Sequence, residues 1–191
     1  GIMIAVSIPG KPEAFPPNTI YSLNPAEIVL GCVSRSGDGF VYVICANSLQ
    51  GIVWSGGRPA VIPRGIWPNT GFPSANAVCL AESVLYGFNG KRGPVRPQGG
   101  NDPASAFGLR VEPDMAAWNP ASVVVGYSPD LNVVLYCHGN TALAYRRSFD
   151  NWSTPLTRLP GTVLSAVTLG GKLLLNVGGT LYEFGVGPGG T

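Results

Sequence analysis

The chain has 191 residues, 45% of them hydrophobic, which is enough to bury a core within one domain. Its 27 glycines and 18 prolines far exceed the usual share of about 12% for the two combined, while Val, Leu, Ile and Tyr recur in short runs. That pairing excludes a disordered chain and indicates many short strands joined by tight turns. Charged residues make up 12%, about half the usual fraction, and the net charge of +2 excludes a strongly basic nucleic-acid or membrane binder. So little charge suits either a surface of Ser, Thr, Asn and Gly or one that faces other protein.

In chain order, the first apolar run is Ile2–Ile8, a strand that either completes the last repeat or pairs elsewhere. The stretch Gly1–Gly10 has no basic n-region and no small-residue cleavage site, so no signal peptide is read there. A chain that starts at Gly reads as a processed chain or as a fragment of a longer protein.

The next run, Ile28–Cys32, is followed by a polar turn at Ser34–Gly39, a strand at Phe40–Cys45 and a third strand at Gly51–Trp54. Gly39–Gly57 is uncharged and long enough to cross a bilayer, but Asn47, Ser48, Gln50 and its glycines make it a strand–turn–strand. Ala77–Leu80 and Ser83–Gly87 form a second set, with Asn89-Gly90 as a two-residue hairpin signal. Val123–Tyr127, Val133–Cys137 and Ala142–Tyr145 form a third, and Ala166–Leu169, Lys172–Asn176 and Thr180–Phe184 a fourth, with Gly178-Gly179 as its hairpin turn.

The first set resembles the third and the second resembles the fourth. The sets start near positions 29, 78, 124 and 167, so successive starts lie 49, 46 and 43 residues apart. Four-stranded propeller blades recur at about 40–50 residues. The fold class is therefore all-β, a β-propeller of about four blade-like repeats, either a small whole propeller or part of a larger one. It forms a single domain over 1–191, with repeat units at roughly 28–65, 75–110, 122–160 and 165–187. A β-sandwich explains the strand density but not the recurrence. Inner strands of a propeller are covered on both faces, which accounts for the unbroken apolar runs Val123–Val125 and Leu173–Leu175.

No set of residues composes a catalytic site. His138 is the only histidine, and its neighbour Cys137 points to the opposite face of an extended strand, so the two make no nucleophile–base pair. His138 reads as a turn histidine bonded to backbone. Glu112 and Asp114 flank Pro113 in what reads as a surface loop. Gly185–Gly190 lacks the helix that a phosphate-binding loop requires and reads as a tail. Cys32, Cys45, Cys79 and Cys137 have no metal-ligand spacing and sit in apolar runs, so they read as buried reduced thiols, which points to synthesis in the cytosol. No cofactor is expected. Asn151-Trp152-Ser153 is formally a glycosylation sequon, but its Trp reads as packing between repeats.

Two surface features remain. Trp67, Phe72 and Trp118 lie in Pro/Gly-rich segments between repeats, where they either pack or serve as a protein interface or glycan platform. Arg58, Arg64, Lys91, Arg92, Arg96 and Arg110 crowd one third of the chain, as a patch that faces either a DNA channel or solvent.

The series Val123–Tyr127, Asn132–Tyr136, Ala142–Tyr145, Trp152–Pro155 and Gly179–Phe184 resembles the propeller repeats of phage neck and tail proteins, which in short-tailed phages belong to the tail nozzle or hub. The resemblance covers about a third of the chain, through degenerate motifs. It implies a non-enzymatic virion component, assembled in the host cytoplasm into a homo-oligomeric, sixfold ring through which DNA passes. Its partners would be other tail and neck proteins, with non-specific DNA contact and no membrane insertion. The alternative is a lectin-like propeller that binds carbohydrate through its aromatic loops.

Overall fold

Short β-rich runs separated by turn residues cannot form long helices, and extended hairpins are the local solution to that pattern. The computed structural model describes residues 3–5, 20–22, 27–35, 40–55, 58–61, 67, 71–97, 107–156 and 159–185. Sixteen strands occur among them: β1 (Met3–Ala5), β2 (Ile20–Ser22), β3 (Val29–Arg35), β4 (Phe40–Cys45), β5 (Leu49–Ser55), β6 (Arg58–Val61), β7 (Val78–Ala81), β8 (Val84–Asn89), β9 (Gly93–Val95), β10 (Val123–Ser128), β11 (Val133–His138), β12 (Thr141–Arg146), β13 (Asn151–Trp152), β14 (Val163–Leu169), β15 (Lys172–Val177) and β16 (Thr180–Glu183). The described α-helix, α1 (Glu112–Met115), is a single turn.

Every described sheet is antiparallel, and neighbouring strands follow chain order: β1-β2, β3-β4-β5-β6, β7-β8-β9, β10-β11-β12-β13 and β14-β15-β16. The chain is thus all-β, and its described residues form four small meandering sheets and one short pair. β1 pairs with β2, not with the last sheet. The chain divides into two compact units, Gly1–Phe72 and Pro73–Thr191.

In the first unit, Val43, Cys45 and Ile52 form a small core with Val29 and Val41 against it. Trp67 and Leu49 exchange both backbone hydrogen bonds at 3.0 Å, and the Phe72 amide donates to the Cys45 carbonyl.

In the second unit the chemistry of the central sheet is clearest. Successive residues of a strand face opposite ways. Val123, Val125, Tyr127, Val134, Tyr136, Leu143 and Tyr145 pack toward β7–β9, together with Ala81, Tyr86 and Phe88. Their neighbours Val124, Val133, Leu135, Cys137, Ala142 and Ala144 pack toward β14–β16 and its Leu173, Leu175 and Val177. The sheet β10–β13 is covered on both faces. Strand β10 runs beside both β7 and β14, the first strands of the flanking sheets. Gly126 permits this approach: a Cβ there would stand 2.8 Å from Leu173 Cδ1 and 2.9 Å from Ala166 Cβ.

Several local expectations change. Covering on both faces holds for Val123–Val125 but not for Leu173–Leu175, because Leu174 lies half-exposed on the outward side of β15. The Gly178-Gly179 turn forms as expected, with φ of 58° and 94° between the paired residues Val177 and Thr180. The Asn89-Gly90 turn does not. Asn89 remains in β8 and pairs with Gly93, and its side-chain oxygen accepts the amides of Lys91 (2.9 Å) and Arg92 (3.1 Å), so the loop is one residue longer. Glu112 and Asp114 belong to a helical turn, not an extended loop. Pro113 is tolerated at the start of that turn, where its missing amide has no helical partner to lose, and Met115 anchors it in the core. All four cysteines are free; Cys45 and Cys137 are buried, but Cys79 is half-buried and Cys32 exposed.

Candidate functional site

The aromatic residues that composition places in loops are mostly inside. Trp67 is 1% exposed and Phe72 2%, so neither can offer a ring face to a sugar, a correction to the platform expected there. Trp118 is half-buried and stacks with two rings. Phe88 stacks with it at 6.2 Å and 27°, and His138 at 5.4 Å and 14°. His138 Nε2 accepts the Asn119 amide at 3.0 Å, which occupies the lone pair a general base would need. Cys137, behind it on β11, is buried and its thiol is pushed up to about 12 by that burial, away from nucleophilic use.

Of the six basic residues, four have described side chains. Arg64 lies outside the described residues, and of Arg58 the backbone alone is described, in β6. Arg96 turns inward: it donates to Tyr145 Oη at 3.1 Å, lies 3.7 Å from Asp150 Oδ1 and sits 5.1 Å over the Phe107 ring. Tyr145 in turn donates to Asp150, which adopts a left-handed backbone at φ 47°. Burial first, and then the bond to Asp150, push the Tyr145 hydroxyl up to about 12. Arg96 is therefore a structural clamp, which removes it from any DNA-facing set. Lys91, Arg92 and Arg110 are exposed, and Lys91 and Arg92 share a cleft of about 180 Å³ with Trp118 and Glu112. Among the described residues no cluster of three or more His, Cys, Asp or Glu could hold a metal ion, and no helix is long and apolar enough to cross a membrane.

A cation that composition does not single out organises the turns joining β7–β9 to β10–β13. Arg147 donates to Glu82 Oε2 (3.0 Å), Asn132 Oδ1 (2.7 Å), Tyr127 Oη (3.0 Å) and Tyr86 Oη (3.4 Å). Burial works against its charge, but the bonds to Glu82 and Tyr86 more than offset this and raise its pKa. Trp152 packs among Phe107, Tyr136 and Tyr145 and donates to the Phe107 carbonyl at 3.0 Å, a packing role.

The feature that no composition signal marks is the outer face of the last sheet. The pairings Val167↔Leu174, Leu169↔Lys172 and Asn176↔Leu181 put Val167, Leu169, Leu174 and Leu181 on one side, opposite the side that packs on β10–β13. Val167 is 54% exposed, Leu169 67% and Leu181 65%. Contiguous apolar side chains at that exposure mark an interaction surface more often than a solvated one. Lys172 and Glu183, on the same side, pair with each other at 2.8 Å and leave the face without net charge.

No known protein family matches the chain, and no curated protein matches it. A solved structure described as a 2S albumin seed protein from Dolichos aligns over 84% of this chain and 88% of that one, at 13% identity and a TM-score of 0.41, a likeness too distant to define a shared fold.

Proposed function

We propose that this chain is a non-enzymatic structural protein, a propeller-type module that assembles through its last sheet into a homo-oligomeric ring. A place in a phage tail or neck, as part of a nozzle or hub in the virion through which DNA passes, is the setting we infer from the resemblance of its repeats. The observation that carries the assembly reading is the apolar outer face of β14–β16. The preceding sheet, of the same meandering design, has both faces covered, and this one has a face of Val167, Leu169 and Leu181 open. The meandering strand order within each sheet and the neighbouring positions of β7, β10 and β14 support the reading as a series of propeller blades. The low charged fraction suits a permanent interface. Contact with DNA, if the ring surrounds it, falls to Lys91, Arg92 and Arg110 and is non-specific. Other tail and neck proteins are the partners such a ring would have.

The carbohydrate-binding alternative has less support, since Trp67 and Phe72 are buried and Trp118 is half-buried and stacked with Phe88 and His138.

Light scattering and negative-stain electron microscopy test the assembly. Rings are expected for the wild type, and Val167→Lys with Leu169→Lys should yield folded single chains. A wild type that stays monomeric at every concentration overturns the proposal.

A further inference from the structure

A second apolar region lies apart from that face, at the rim where β10–β13 meets β14–β16. A cleft of about 390 Å³ opens there, within the roughly 300–1,000 Å³ of small-ligand sites. Val133 and Ala144 form its floor, and Phe149, Leu156 and Phe184 stand around it. Phe149 is 72% exposed, a large ring held at the mouth of the cleft with little to cover it.

Its polar lining residues are Asn132, Arg146, Ser148 and Ser153; Asn132 is bonded to Arg147, and Ser153 accepts the Ala144 amide and donates to the Thr154 carbonyl. Arg146 pairs with Val133 across β11 and β12 and follows Ala144 on the same strand face, which brings it to the same cleft. Its guanidinium makes no ion pair or hydrogen bond with any described residue, unlike Arg147 and Arg96, which are tied down on the other side of the sheet. Ser148 Oγ accepts from Asn132 Nδ2 at 2.7 Å, which leaves its proton to donate. The nearest carboxylate in sequence, Asp150, is engaged by Tyr145 and Arg96. One unpartnered cation and one hydroxyl donor beside an apolar floor complement a molecule with an apolar body and a single anionic end.

We propose that this cleft binds a small carboxylic acid with an apolar chain, its carboxylate on Arg146 and Ser148 and its chain over Val133, Ala144 and Phe149. This site is independent of the assembly face.

Isothermal titration of the full chain with decanoate and with decanol tests it. One decanoate should bind per chain, at least about tenfold more tightly than decanol, as expected for a charge-assisted hydrogen bond. Arg146→Gln should erase that difference while decanol binding stays the same. Phe149→Glu, at an exposed position that tolerates change, should abolish decanoate binding with the circular dichroism spectrum unaltered. Leu169→Lys, on the assembly face, should leave decanoate binding intact. Absence of decanoate binding, equal affinity for the acid and the alcohol, or loss of binding in Leu169→Lys would each overturn the proposal.

Discussion

Arg147 Nη2 and Glu82 Oε2 stand 3.0 Å apart and join the turn after β12 to the turn between β7 and β8. The hydrogen bond, and then the charge, of Arg147 hold the Glu82 carboxyl below its ordinary value of 4.5. A carboxyl whose folded pKa is depressed contributes stability above its unfolded pKa and loses it as pH falls through the folded value. The thermal midpoint should therefore drop on acidification below pH 4.5, and Glu82→Gln should drop less over the same interval. Equal slopes in a pH series of melting curves would show that the pair contributes nothing.

The same guanidinium satisfies Tyr86, Tyr127 and Asn132 in a largely buried setting. Arg147→Ala should destabilise the second unit by about 2–3 kcal/mol, the cost of orphaning buried partners, as read from the urea midpoint. A change within about 0.5 kcal/mol would mean that water replaces the side chain without loss.

Tyr136 offers the reverse case. It is fully buried among Trp152 and its aromatic neighbours, and its hydroxyl has no hydrogen-bond partner among the described residues. Removing an unpaired buried polar group relieves its desolvation cost. Tyr136→Phe should raise stability by about 1 kcal/mol, and a measured loss of that size would reveal a partner for the hydroxyl.

Gly126 to Ala tests the close approach of β10 to the last sheet. The added methyl would stand 2.8 Å from Leu173 and 2.9 Å from Ala166. A loss of about 1–3 kcal/mol is expected from overpacking, and Leu173→Ala in the same chain should recover part of it in a double-mutant cycle. Strict additivity of the two changes would argue that the methyl clashes elsewhere.

Thiol labelling distinguishes the cysteines. Burial pushes Cys45 up to about 11 and Cys137 up to about 12, and Cys79 is raised for the same reason. At pH 8, Cys32 on β3 should label first with a disulfide reagent, and the other three should label only after unfolding. Rapid labelling of Cys137 in the native protein would contradict its place between two sheets.

How far the sequence foretells these features depends on which force decides each one. Strand positions were legible because period-2 burial on two faces leaves unbroken runs such as Val123–Val125, and Gly178-Gly179 names its own turn. The same logic misleads at Leu173–Leu175. A strand with one neighbouring sheet and a strand with two can carry identical residues, and only tertiary position tells them apart. Trp67 and Phe72 stand among Pro and Gly, which locally signals an exposed loop, yet backbone bonds to Leu49 and Cys45 draw them inward. Arg146 and Arg147 are adjacent and alike in sequence. One ends β12 facing the apolar cleft, and the next begins a turn of 3₁₀ helix that swings it to the tyrosines, a divergence set by backbone geometry alone.

The sheet β10–β13 owes its burial to neighbours on both sides, whereas β14–β16 leans on one. Such a series comes apart from its ends. Amide protons of β15 and β16 should exchange through local opening well before those of β11, whose release requires two interfaces to fail together. Capping the open face with another subunit would thus do more than enlarge the particle: it would turn an end sheet of the second unit into an interior one.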